Sequence, residues 1–84
     1  MIPLGFVANN GSNSVILFDI KNNTVTNSIP VGTGPYIFTI TPNGKYAYVV
    51  NFGSNMVSVI NIQQNLVVDT IAVEEHPIGI ALKE

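Results

Sequence analysis

The sequence predicts an all-β fold made of two copies of one structural unit. Shifting the 84-residue chain by 42 residues against itself aligns 6–42 with 48–84 without a gap, and 12 of the 37 aligned pairs are identical. Within each copy, short segments rich in Val, Ile, Tyr, Phe and Thr alternate with Asn, Gly, Pro and Ser at the spacing of strands and turns. No segment has a helical period, so the repeated unit is built of strands alone.

Each copy is expected to contain four strands, so that repeats of about 1–42 and 43–84 form one domain, 1–84. The predicted strands are 4–9, 14–20, 24–31, 36–41, 46–51, 56–62, 66–73 and 78–83.

The turns between the strands predict how the strands pair. In "TPNGK" at 41–45, Pro42 presets φ, and Asn43 and Gly44 both tolerate positive φ, which is typical of a hairpin. "KNNT" at 21–24 and "QQNL" at 63–66 are expected to act in the same way with weaker signals, and "NNGSN" and "NFGSN" to form slightly longer loops. Consecutive strands are therefore expected to pair as an antiparallel meander.

Some strand segments have several apolar residues in a row. This differs from the alternating pattern of a sheet that has one face exposed to solvent. "AYVVN" at 47–51 and "VILF" at 15–18 are examples. Continuous apolar strands indicate sheets that are covered on both faces. A repeated four-stranded meander of this length, covered on both sides, is what a β-propeller blade requires, since each blade packs against two neighbours.

Both copies resemble the YVTN repeat of β-propeller proteins, in which Tyr-Val-Thr-Asn is followed by an Asn-x-Val-Ser-Val-Ile-Asp strand and by Ile-Pro-Val-Gly-x-x-Pro. The matching segments are "FVAN" at 6–9, "NSVILFD" at 13–19, "SIPVGTGP" at 28–35, "YVVN" at 48–51, "NMVSVIN" at 55–61 and "TIAVEEHP" at 70–77. The motif threonine is replaced in both copies, and Glu74 and His76 stand at glycine-like positions of the second. The repeat motif contains no catalytic residue.

The resemblance implies where each strand lies in its blade. In such propellers the strand that begins at the motif proline is innermost, so this chain has a first blade without an inner strand and a spare inner strand at 77–83. A propeller needs roughly four to eight blades. We therefore expect a closed homo-oligomer in which 77–83 of one subunit completes the first blade of the next, giving six blades in a trimer, which we favour, or eight in a tetramer.

Charged residues are few in this chain and cysteine is absent, which excludes several classes of function. Only 10% of the residues are charged, all three basic residues are lysines, and the net charge is −2. Nucleic-acid binding is not expected, because phosphate backbones are bound by clustered Lys and Arg. With no cysteine, the sequence has no disulfide, no thiolate nucleophile and no Cys-ligated zinc site.

No membrane span and no secretory signal are predicted. Apolar runs such as 46–50 are far shorter than the roughly 18 residues of a spanning helix, and the first residues lack a basic n-region. The chain as it stands is expected in the cytoplasm, whereas an excerpt of a longer protein of the resembled family would belong to the cell surface or the periplasm.

Two groups of residues are candidates for ligand sites. Glu74, Glu75 and His76 precede the spare inner strand, so a ring would repeat them near its axis, where imidazole and carboxylates could hold a metal. Tyr36 and Phe38 are expected on an inner strand, where they could line the channel mouth, although core packing is the favoured use of both.

Neither catalysis nor a cofactor is predicted. Asp19 and Asp69 belong to different strands of different repeats and so form no acid–base pair. The leading hypothesis is a non-enzymatic scaffold or interaction module that assembles head to tail into a ring. The alternatives are a small-molecule or metal site on the ring axis near His76, and a fragment of a larger propeller protein associated with a cell surface or a redox enzyme.

Overall fold

Seven β-strands in two antiparallel sheets make up the computed structural model of the chain, which describes residues 3–75, 77 and 79–83. The first sheet has the order β1-β2-β3 and the second β4-β5-β6-β7. A turn of 3-10 helix, Asn10–Ser12, follows β1. The strands are β1 (Leu4–Asn9), β2 (Ser14–Asp19), β3 (Thr24–Pro30), β4 (Pro35–Ile40), β5 (Tyr46–Asn51), β6 (Met56–Asn61) and β7 (Leu66–Ala72).

The all-β prediction and the antiparallel meander are confirmed, with strand ends within one residue of those expected. The predicted eighth strand, 78–83, is not present among the described residues of that segment. Pro77 and 79–83 form no strand, because a strand needs a hydrogen-bonded neighbour and the described residues offer this segment none. Its predicted pairing with a neighbouring subunit stays a prediction.

The hairpin at 41–45 forms as expected, but only one of the two residues expected to take a positive φ does so. Gly44 takes a φ of 73°, whereas Asn43 does not have a positive φ. Asn43 instead uses its side chain, whose Oδ1 accepts hydrogen bonds from Thr41 Oγ1 at 2.6 Å and from Lys45 N at 3.0 Å. Gly44 N donates to Thr41 O, so one turn followed by one left-handed glycine closes the hairpin.

The two sheets pack face to face, and the core lies between them. Alternate side chains of β2, β5 and β6 point into this layer because successive residues of a strand face opposite sides. The buried core residues are Val15, Leu17, Ile29, Ala47, Val49 and Ile60. Both sheets therefore contribute to one core, as stacked blades require.

The segment 31–35 connects the sheets and is hydrogen-bonded to both of them. Gly34 N donates to Asn13 Oδ1 at 3.0 Å, while Phe52 N donates to Gly34 O and Gly53 N to Thr33 O, each at 2.9 Å. This ties a turn of the first sheet to a turn of the second.

Replacing Gly34 with alanine is expected to lower the free energy of unfolding by about 1–2 kcal/mol or more. Gly34 has a φ of 66°, and a Cβ there would lie 3.1 Å from the backbone nitrogen of Gly53. Urea unfolding should show a smaller loss for Gly44→Ala, since Gly44 has a positive φ but no atom within 4 Å of a new Cβ. Gly11→Ala, without positive φ or close contact, is the neutral control, and equal stability of all three variants would contradict the prediction.

Candidate assembly interface and candidate ligand sites

Strand β1 has an open edge in the first sheet. Among the residues that the structure describes, it pairs with β2 alone, whereas its repeat equivalent β5 lies between β4 and β6. Ile20 N donates to Pro3 O, and hydrogen-bonded pairs recur at every second residue of an antiparallel ladder. The peptide groups of Leu4, Phe6 and Ala8 therefore point away from β2, toward the open edge.

The second sheet provides the geometry by which such an edge is filled. Thr41 N donates to Tyr46 O at 2.9 Å, and the same register pairs Thr39 with Tyr48 and Ile37 with Val50.

The repeat transfers this register to the first sheet. Adding 42 to the numbers of the inner strand and subtracting 42 from those of its neighbour pairs Lys83 with Leu4, Ala81 with Phe6 and Gly79 with Ala8. These three residues of β1 are the ones whose peptide groups face the open edge. By its sequence, the segment 77–83 therefore has the register needed to complete a first sheet. In the chain, however, this segment follows the second sheet and not the first.

An apolar row crosses all four strands of the second sheet on the face that points away from the first. Val50 pairs with Ile37 on one side and with Val57 on the other, and Val57 pairs with Ile71. Val50 and Val57 are buried, but Ile37 and Ile71 are 40% and 43% exposed. This face has the composition of a sheet that packs against another.

The first sheet also has an apolar outer face. Val7, 47% exposed, pairs with half-buried Ile16, and the ring of Phe18 lies across Gly5 on the same side. The chain thus presents one apolar sheet face at each end of its two-sheet stack. Exposed apolar faces of this kind mark association surfaces.

The structure separates the two aromatic residues predicted for the channel mouth. Tyr36 is 61% exposed, and its ring centroid lies 6.5 Å from that of Phe52. Phe38 instead packs between the sheets, with its ring centroid 5.8 Å from that of Phe6. Of the two, Tyr36 is the residue placed where a ligand could stack on it.

The predicted metal ligands are described only in part. Glu74 and Glu75 are exposed and follow the end of β7, while His76 lies outside the described residues. Within the described ranges, no group of three metal-ligating side chains comes together. The metal site near His76 stays a prediction.

The two strand carboxylates, Asp19 and Asp69, make local hydrogen bonds. Asp19 Oδ1 accepts from Lys21 N at 2.8 Å, and Asp19 Oδ2 accepts from Asn22 Nδ2 at 3.1 Å. Asp69 Oδ1 accepts from Thr70 N at 2.8 Å. They belong to different sheets, so the structure does not bring them into one cleft.

Asn51, the last residue of "YVVN", is a buried polar residue that sequence reasoning did not single out. It is fully buried, and its Nδ2 donates to Ser58 Oγ at 2.8 Å. Among the described residues its Oδ1 has no hydrogen-bond partner. Gly32 covers this amide so closely that a Cβ there would lie 2.8 Å from Asn51 Cγ, which explains why the position is a glycine.

A cleft between the sheets was also missed by the sequence analysis. It has a volume of about 1100 Å³ and opens at the end of the molecule where the 41–45 hairpin lies. Its lining comes from separate segments of both repeats, among them β1, β3 and the turns after β4 and β6. No local sequence motif predicts such a site. The only signal in the sequence is the concentration of Asn residues, together with Lys45, in those turns.

Comparison with known proteins gives matches among solved structures only. No family model matches the chain, and no curated protein does. Hydrazine synthase of Kuenenia stuttgartiensis is 33% identical with a TM-score of 0.84, over 86% of this chain. Two structures of AztD from Citrobacter koseri, one of them apo, are 20% and 22% identical with TM-scores of 0.64 and 0.66, over 80% and 84% of this chain.

The chain spans about a fifth of each matched structure, the shares being 20%, 18% and 19%. The matched regions are blades of β-propeller proteins. The described residues include no helix of the length and apolar character that crossing a bilayer demands. The sheet order, the shared core and these likenesses together establish two antiparallel sheets with the fold of propeller blades, and the likeness to YVTN repeats stays a resemblance.

Proposed function

We propose that this chain is a non-enzymatic β-propeller module that assembles head to tail with copies of itself into a closed ring. The observation on which this depends is the mismatch between the two blades. The second has four strands and the first has three, with the open edge on β1. In the same chain, 77–83 has the sequence register of the absent strand, and its described residues, Pro77 and 79–83, form no strand.

Adding a strand from a neighbour would satisfy the open edge and cover the apolar faces together. The peptide groups of Leu4, Phe6 and Ala8 would gain partners, which is the usual gain of strand addition. The same movement would stack the face bearing Val7 and Ile16 on a neighbour's face bearing Val50 and Val57, so that apolar surface is removed from water.

The proposed interface joins two different surfaces, so it is heterologous and either closes as a ring or continues as a filament. Two blades per chain give six blades in a trimer and eight in a tetramer, both within the usual range of propellers. We favour the trimer. The loops and the channel mouth of the ring, including exposed Tyr36, would form its binding surface.

The first test is the absolute molar mass of the chain in solution, measured by light scattering after gel filtration. A discrete trimer or tetramer is expected for 1–84, and its loss is expected for a chain that ends at residue 76. A folded monomer of 1–84 would contradict the proposal, and so would an oligomer that persists without 77–84, since the exchanged strand would then not close it.

A second proposal is favoured by the share of the matched structures that this chain spans. At 18–20% of their length, the two blades could belong to a longer propeller whose other blades supply the inner strand and cover the outer faces. On this proposal 1–84 alone forms heterogeneous aggregates, because its apolar faces have no defined partner. A discrete closed oligomer would exclude it for the isolated chain.

A further inference from the structure

The cleft between the two sheets forms within a single chain, so an inference from it does not rest on ring assembly. Apolar side chains that point between the sheets form part of its walls, Thr26 and Asn27 of β3 form another part, and its rim is made of turns. The apolar wall residues include Leu4, Phe6, Ile40 and Ile62. Ile40 is 38% exposed and the other three are half-buried. The apolar surface of this cleft therefore remains partly in contact with water.

Two side-chain amides at the rim, those of Asn43 and Asn61, have N–H groups available as hydrogen-bond donors. Asn43 Oδ1 is occupied by Thr41 Oγ1 and Lys45 N, and Asn61 Oδ1 by Gln64 N at 3.0 Å. An amide oxygen can accept two hydrogen bonds, so Asn43 Oδ1 is fully occupied and Asn61 Oδ1 keeps one position, while both amides offer their N–H groups. Within the described part of the chain neither amide nitrogen donates to a protein acceptor, because both residues' side-chain bonds are made by their oxygens.

Lys45 supplies a positive charge at the rim of the cleft. It is exposed, lines the cleft beside Asn43, and is the only charged residue in the lining among the described parts of the chain. In a chain with a net charge of −2, this places a cation and two amide donors next to an apolar wall. A bound group that meets all three must accept hydrogen bonds and carry negative charge.

We propose that this cleft binds a monocarboxylate with an apolar chain, its carboxylate at Lys45, Asn43 and Asn61 and its chain along Phe6 and Ile62. A carboxylate is an acceptor-only group that suits a rim of donors. The apolar chain gains free energy by leaving water. The cleft volume, about 1100 Å³, is slightly above the roughly 300–1,000 Å³ of small-molecule sites, so an extended alkyl chain has room to fit.

Two other ligand classes fit the same groups less well. An organic cation would be repelled by Lys45 and would find no carboxylate in the lining. A sugar would not use the charge of Lys45, and its hydroxyl groups would gain little from the apolar side chains of Phe6 and Ile62. The apolar carboxylate is the class that uses both the walls and the rim.

The test is a titration of the ¹⁵N-labelled full chain with sodium octanoate below its micellar concentration, followed by amide shifts. Shifts are expected at the cleft residues of β1 and at 43–45 and 61–63. Lys45→Gln should weaken octanoate binding about two- to fivefold, the range expected for an exposed ion pair. Lys21→Gln is the matched control, since Lys21 is equally exposed but does not line the cleft.

1-Octanol distinguishes the carboxylate from its chain. It should bind more weakly than octanoate and should be insensitive to Lys45→Gln. Equal binding of octanol and octanoate would overturn the proposed role of the rim. An absence of shifts, or shifts confined to the outer faces around Val50 and Val7, would overturn the site. Neither result depends on whether the chain assembles, because molar mass is measured separately on each sample.

Discussion

Ala81→Pro is expected to abolish ring assembly. In the proposed exchanged strand, Ala81 takes the place that Thr39 has beside Tyr48, so its N–H would donate to Phe6 O across the interface. Proline has no N–H, and its ring would lie against β1 where the hydrogen bond should form. Each subunit interface would lose this pairing, so the expected molar mass falls from that of the ring to that of the monomer.

Leu82→Pro is the matched control, one residue away. Hydrogen-bonded pairs alternate along the ladder, so the N–H of Leu82 would face the channel and not β1. Proline is tolerated at such edge positions, and the ring should persist with a smaller loss of stability. If light scattering shows both variants assembled, or both equally dispersed, the register proposed here is wrong even if the ring exists.

The seven strands of the structure could be predicted because local signals agreed with the repeat. Asn13 and Asn23 end their turns with φ of 54° and 55°, and their equivalents Asn55 and Asn65 do the same at 55° and 58°. Asparagine tolerates this left-handed conformation better than most residues. A turn residue found twice at the same place in a repeat is therefore a strong signal for where a strand begins.

Predictions that depended on partners outside the local sequence were harder to make. The segment 77–83 has strand composition, yet a strand requires a neighbour, and its described residues, Pro77 and 79–83, form no strand with the rest of the described chain. For Asn43 the sequence indicated a hairpin correctly, but its φ was decided by competition between backbone and side chain. The hydrogen bond that Asn43 Oδ1 accepts from Lys45 N was not predictable from the pattern of turn residues alone.

Candidate sites are the hardest feature to predict from the sequence, because sites are made of residues that meet only in the fold. Tyr36 and Phe38 look alike in sequence, two residues apart on one strand, but the structure exposes Tyr36 and packs Phe38 against Phe6. The inter-sheet cleft combines segments from both repeats. Repeat motifs specify how blades pack, and function belongs to sites placed on the fold.

Leu17→Ala is expected to cause the largest loss of stability among single core substitutions, about 2–5 kcal/mol in the free energy of unfolding. Leu17 is the largest of the fully buried side chains and lies between the sheets with Val15, Val49 and Ile60. Its removal would leave a cavity in the layer that holds the two blades together. The blades share this one core, so the loss should weaken both sheets.

Leu66→Ala removes the same atoms from an exposed position and tests whether burial is the cause. Leu66, at the start of β7, is 55% exposed, and its substitution should change the free energy of unfolding by no more than about 0.5 kcal/mol. Urea unfolding of both variants should be compared at one chain concentration, because assembly makes stability concentration-dependent. Equal losses for Leu17→Ala and Leu66→Ala would mean that the layer between the sheets is not the core of this protein.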